Sequence, residues 1–178
     1  MTERLWLSQE QLLTWTNFLA ASQLIEQRVD SQLRHDFDFS HSEYEILVRL
    51  SQAEDHTMRM GRLAQLTIIN KSALTYKISN LSKKGLIDKV PCKDDARGLN
   101  VVLTKEGERL LHEIAPSHVK TVREVLIDQL SPTELEALHK ISEKLLEQFS
   151  STPQCEGDRA LKLQKGHKDK EQPRKDAT

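Results

Sequence analysis

The stretch from Ser72 to Thr104 leaves this chain little choice of fold. Within SALTYKISNLSKKG, Leu74, Ile78 and Leu81 recur at i, i+4 and i+7, a spacing that puts three apolar side chains on one side of a helix. Gly85 ends that helix as a C-cap, and Leu86 is placed for the apolar contact that accompanies such a cap. Two β-prone runs, LIDKV and LNVVLT, follow on either side of the polar connection PCKDDARG and read as a hairpin. Upstream, Leu63, Ala64 and Leu66 suggest a shorter helix after the turn AEDHT, separated from the first by TIIN. The spacing predicts helix, turn, helix and hairpin, a winged helix-turn-helix over about residues 57–105.

The remaining segments read as helices too. From Ser8 to Leu33 there is neither Gly nor Pro, and Leu12, Trp15, Phe18, Leu19, Ile25, Val29 and Leu33 recur at helical spacing. Such a helix is about 39 Å long, a reach suited to packing across another subunit. After HDFDFSH, Ser42 and Glu45 are read as a capping box for a second helix through Leu50. Thr104 caps KEGERLLHEIA, which Pro116 is expected to kink or interrupt, and Val119, Val122, Val125, Leu126 and Leu130 continue the apolar stripe. Ser131 and Pro132 open a last helix with Leu135, Leu138, Ile141, Leu145 and Phe149 along one side. The expected fold class is mainly α with a small β-hairpin wing: a winged helix-turn-helix plus a helical dimerisation region. One domain is expected over 1–149, with the winged lobe at about 40–105 and dimerisation helices at about 8–33 and 105–149. Residues 150–178, rich in charge, Gln, Gly and Pro, are expected to be a disordered charged tail.

Bulk properties narrow the function classes. At 178 residues the chain has room for one ordinary domain and a tail. No apolar run approaches the roughly 20 residues that span a bilayer, and MTERLWLSQEQ is too polar for a signal peptide, so a cytoplasmic protein with no membrane partner is expected. Cys92 and Cys155 form neither a disulfide framework nor a zinc or redox pair, and His112 and His118, six apart, fall on different helix faces. No metal and no cofactor are expected. There is no Gly-rich phosphate loop, no G-x-S-x-G and no H-E-x-x-H, so no enzyme is expected either.

A net charge of −1 conceals an uneven distribution. Residues 59–105 carry ten Lys and Arg against three Asp, whereas residues 1–58 carry four against ten acids and residues 106–149 five against nine. One basic segment between two acidic ones coincides with the winged architecture, the pairing that a phosphate-contacting surface requires. On the fourth helix Ser72, Thr75, Tyr76 and Ser79 group opposite the apolar stripe, with Asn80 beside them and Lys71 and Lys77 near by. Short polar side chains of this kind reach base edges and phosphates without filling a groove. In the connection between the β-runs, beside Lys93, Arg97 is placed to enter a narrow minor groove, and Asp95, two residues earlier, to orient it.

The stretch RMGRLAQLTIINKSALTYKISNLSKKGLIDKVPCKDDARGLNVVLTKEGERLL resembles the DNA-binding lobe of the MarR family of bacterial transcription regulators. The likeness runs through Leu63-Ala64, Ser72 and Thr75, Leu81, Gly85-Leu86, Asp95 and Arg97, Leu103-Thr104 and Gly107, and the helical layout extends it over about residues 8–149. The resemblance implies a homodimer built on the first, fifth and sixth helices. It implies a pseudo-palindromic operator in double-stranded DNA, read by the fourth helix in the major groove and by Arg97 in the minor groove. It also implies repression relieved by a small-molecule effector, with Trp15, Phe18, His35 and Arg49 lining a cleft between the dimer helices and the lobe. Two alternatives stand beside it. One is a redox-responsive regulator using Cys92, whose thiolate Lys89 and Lys93 would favour; the other is a winged-helix module for protein contacts.

Overall fold

The computed structural model describes residues 6–67, 69–92 and 98–150, with the side chains of 149 and 150 left aside. Its elements are α1 (Gln9–Phe37), α2 (His41–Ser51), β1 (Thr57–Arg59), α3 (Met60–Thr67), α4 (Lys71–Lys83), β2 (Ile87–Pro91), β3 (Leu99–Leu103), α5 (Lys105–Val125) and α6 (Pro132–Ser150), with short 3-10 turns at Glu54–His56 and Ile127–Gln129.

The expected mainly α fold with a winged lobe is present, and the differences from the sequence reading have physical causes. The hairpin of β2 and β3 is joined by a third strand in the order β1-β3-β2, with Thr57 opposite Val102 and Ile87 opposite Leu103. Three residues are too few to show a strand's alternation, so β1 is invisible until β3 offers it an edge. The α2 capping box is Ser40 with Glu43, not Ser42 with Glu45. Ser40 Oγ accepts from the Glu43 N–H while a Glu43 carboxylate oxygen accepts from the Ser40 N–H at 2.9 Å. Starting the helix there buries Phe39, only 2% exposed, and lets the His41 N–H donate to Asp30 on α1. Pro116 does not interrupt α5: the helix runs through it, and the chain breaks only at Leu126, where φ is −139° and ψ −62°.

The core lies where α1, α2, α3, α4, β3 and α5 converge. Leu33, Ile46, Leu47, Leu50, Leu63, Leu81, Ile87, Val101 and Ile114 are fully buried there. Burying a side chain of this size stabilises by roughly 1.5–3 kcal/mol. The start of α5 is seated on the turn after α4: Thr104 Oγ1 donates to the Gly85 carbonyl at 2.7 Å and accepts from the Gly107 N–H. Gly85 takes φ +72°, a left-handed value that glycine adopts without strain. Gly107 is required for space, because a Cβ there would stand 2.2 Å from the Leu86 carbonyl oxygen.

The outer helices are different. α1 is 29 residues long, yet its buried residues are confined to Val29, Gln32 and Leu33. Leu12, Leu13, Trp15, Phe18 and Leu24 are each at least half exposed, as are Val119 on α5 and Ile141 on α6, and Leu145 is nearly so. None of α6's described residues is buried.

Candidate nucleic-acid interface

α4 is oriented by its apolar stripe. Leu74, Ile78 and Leu81 are each no more than 1% exposed, which turns the opposite side of the helix outward. Asn70, which the sequence reading left in the separator between helices, is the N-cap: its Oδ1 accepts from the Ala73 N–H and from Ser72 Oγ, both at 2.8 Å. An Asn four residues ahead of Leu74, the first residue of the apolar stripe, is the available signal. Thr75 Oγ1 donates to the Lys71 carbonyl at 2.8 Å. The hydroxyls of Ser72 and Thr75 are therefore held with their donor hydrogens inward and lone pairs free to accept. Lys71, Ser72, Thr75 and Tyr76 are exposed, Tyr76 by 69%, whereas Ser79 and Asn80 are half-buried.

Lys77 behaves unlike the rest of this set. Half-buried, it donates from Nζ to Ser40 Oγ at 3.3 Å, toward the start of α2 and away from the outward surface. Of the wing, the described part closes with the Cys92 N–H donating to the Gly98 carbonyl at 3.0 Å. Lys93, Asp95 and Arg97 fall between these two residues and lie outside the described ones.

This geometry, a buried apolar stripe behind an exposed polar helix face followed by a hairpin, has close counterparts. A model of the MarR family matches residues 39–99. The crystal structure of AbsC, a MarR family transcriptional regulator from Streptomyces coelicolor, is 33% identical, with a TM-score of 0.77 over 83% of this chain and 99% of that one. Sco3205, another regulator of this family from the same organism, solved in complex with DNA, is 31% identical, with a TM-score of 0.80 over 88% of this chain and 97% of its own. The chain belongs to the MarR family. Among curated proteins, the HTH-type transcriptional regulator PecS of Dickeya dadantii is 28% identical over 125 residues, 70% of this chain and 75% of that protein.

Within the single chain, the four residues named as lining an effector cleft are not brought together. Trp15 and Phe18 sit half exposed on the outer part of α1, and the His35 side chain is 87% exposed beside Asp36. Arg49 pairs with Glu45 on α2 at 3.2 Å, and its Nε is buried without a hydrogen-bond partner. An open groove instead follows α1 along Ser22, Gln23, Glu26, Gln27 and Asp30. At its inner end His41 Nδ1 meets Glu26 at 2.8 Å, and His118 on α5 packs 4.4 Å from the ring of Tyr44. Burial in that junction, with the nearby His41 adding to it, holds the His118 imidazole below its ordinary pKa.

Cys92 is buried, and its thiol donates to Asn100 Oδ1 at 3.0 Å. A buried, hydrogen-bonded thiol acts as a small apolar side chain, which disfavours the redox alternative; Cys155 lies outside the described residues. Among the described residues, no group of three or more His, Cys, Asp or Glu could hold a metal ion, and no helix is long and apolar enough to cross a membrane.

Proposed function

We propose that the protein is a cytoplasmic, homodimeric transcription regulator that binds a pseudo-palindromic operator, with α4 in the major groove and the wing at the minor groove. The observation that carries the reading is the α4 surface. A fully buried stripe fixes its outward side, and that side consists of Ser72, Thr75 and Tyr76, flanked by Ser79 and Asn80, with Lys71 exposed at the helix start, within the chain's one strongly basic segment. Lys93, Asp95 and Arg97 complete the contact from the wing, a reading supported by their place in the basic segment and by the family resemblance. An exposed apolar α4 face would have favoured the protein-contact module, and Tyr76 is the sole large apolar-bodied residue exposed on it. The half-exposed apolar residues of α1, α5 and α6 support a twofold dimer, in which one self-complementary surface covers both copies. Repression relieved by a small-molecule effector, without catalysis, follows from the family resemblance.

Fluorescence anisotropy against a duplex from the protein's own upstream region, beside a scrambled duplex and across a salt series, tests this. The expected result is preference for the native duplex with affinity falling linearly in log-log form as salt rises. Arg97→Ala is expected to cost about 1–3 kcal/mol of that binding. Equal, weak binding to both duplexes would sink the regulator reading in favour of protein contacts.

A further inference from the structure

Two lysines of the α4 segment turn back toward the protein, and both reach the short corner between α1 and α2. Lys77 Nζ donates to Ser40 Oγ at 3.3 Å, and that hydroxyl in turn donates to the Glu43 carboxylate. Lys84 Nζ lies 3.4 Å from the Asp38 carbonyl oxygen and 5.2 Å from the ring centroid of Phe39. Asp38, at φ +52°, is the left-handed cap that ends α1, Phe39 is a buried core residue, and Ser40 caps α2. The corner is therefore rigid at each point the lysines touch.

Helix geometry sets Lys77 apart from Tyr76, while Lys71, at the first position of the helix, is exposed. At 100° per residue, Lys77 stands about 70° from the centre of the Leu74, Ile78 and Leu81 stripe, whereas Tyr76 stands almost opposite it. A side chain at the shoulder of the stripe has its stem on apolar surface and its ammonium at the edge of the core. Here that edge is the N-terminus of α2, where the Ser40 hydroxyl that accepts from the ammonium donates to the Glu43 carboxylate.

We infer that Lys77 is a positioning residue, which ties α4 to the α1–α2 corner through Ser40 and Glu43 and sets the angle at which α4 presents Ser72 and Tyr76, and is not itself a phosphate contact. Lys84 fastens the far end of the helix to the same corner. The inference rests on the DNA-binding reading for its consequence, although the tie exists in the free protein. An ammonium held at a protein hydroxyl and turned from the outward surface makes no phosphate contact and releases few counterions when DNA binds, so Lys77 contributes to affinity through geometry with almost no share in the salt dependence.

The test uses the full-length protein and a duplex that the wild type selects from a random-sequence library. Lys77→Met keeps the stem and removes the ammonium; Lys71→Met is the control at an outward position. Lys77→Met is expected to weaken binding roughly tenfold at every salt concentration with the wild-type slope, while Lys71→Met flattens the slope by about one unit. Lys77→Arg recovers part of the loss, and Ser40→Ala combined with Lys77→Met costs less than the two single changes added. Hydrogen exchange in the free protein gives a second reading: α4 amides exchange faster in Lys77→Met than in wild type. A slope lowered by one unit in Lys77→Met, unchanged affinity, strictly additive losses, or unchanged α4 exchange would each overturn the tie. Failure of the DNA-binding reading is visible separately, as wild-type protein that selects no duplex, and the exchange comparison still decides the tie.

Discussion

The winged lobe and the outer helices are built from the same residue types and treat them in opposite ways. In the lobe, Leu63, Leu74, Ile78, Leu81, Ile87 and Val101 are all but sealed from solvent. On the outer helices, Leu12, Trp15, Phe18, Ile141 and Leu145 fall at comparable helical spacing and remain about half exposed. The difference teaches that an apolar stripe specifies a buried face without saying which chain buries it. The lobe closes on itself because its helices, its sheet and the start of α5 contribute apolar side chains to one shared core. α1 and α6 present long one-sided surfaces that none of the described residues covers, and these are the surfaces the proposed second copy would cover.

That contrast breaks if the lobe proves soft. Leu81→Ala is expected to destabilise the protein by about 2–5 kcal/mol, since a rigid core keeps the cavity; urea unfolding with a loss well under that range would mean the lobe is not the saturated half. The outer surface is tested by Leu145→Glu, which places a charge at its centre. Sedimentation should show dimer dissociation favoured by about 2–4 kcal/mol with the helical content of the lobe retained; an unchanged dimer would place the interface elsewhere. Gly107→Ala sharpens the seam between the regions, where α5 leaves the lobe. The added methyl meets the Leu86 carbonyl oxygen, so a lowered melting temperature equivalent to about 1–3 kcal/mol is expected, and no change would show that α5 shifts freely on the lobe.

The smallest effect concerns pH at the junction of α1, α2 and α5. Burial depresses the folded-state pKa of His118, so its neutral form is favoured by folding. Stability from this group is therefore complete above the ordinary histidine pKa of about 6.5 and is lost as pH falls through the depressed value. The carboxylates of Asp30, Asp36, Glu106 and Glu134 are held low by their partners and act only further into the acid range. Thermal unfolding from about pH 7 to pH 5 should fall less steeply in His118→Gln than in wild type; identical profiles would remove His118 from the acid response.

How much was legible depended on how local the cause was. The α4 stripe, the Gly85 cap and the hairpin are each set by residues within a few positions of one another, and all three stand where the sequence places them. The α2 cap was misplaced by two residues because SHSEYE contains two overlapping Ser-x-x-Glu patterns of equal local merit. Only the burial of Phe39 and the bond from the His41 N–H to Asp30 select the first. Lys77 was grouped with the outward polar residues by its type and neighbourhood, and its angle on the helix already set it apart from Tyr76.

By itself the sequence determined the helices and the hairpin, the inward side of α4, the basic segment and the family, because periodicity and charge are properties of neighbouring residues. The tertiary structure decided what depends on distant ones: that β1 becomes a strand on β3, that α5 passes through Pro116, that Cys92 is sealed behind Asn100, and that Lys77 is drawn to Ser40, thirty-seven residues away in the chain. Each of these is a local preference that is weak or absent and is settled by a partner the fold brings near, which no window of sequence contains.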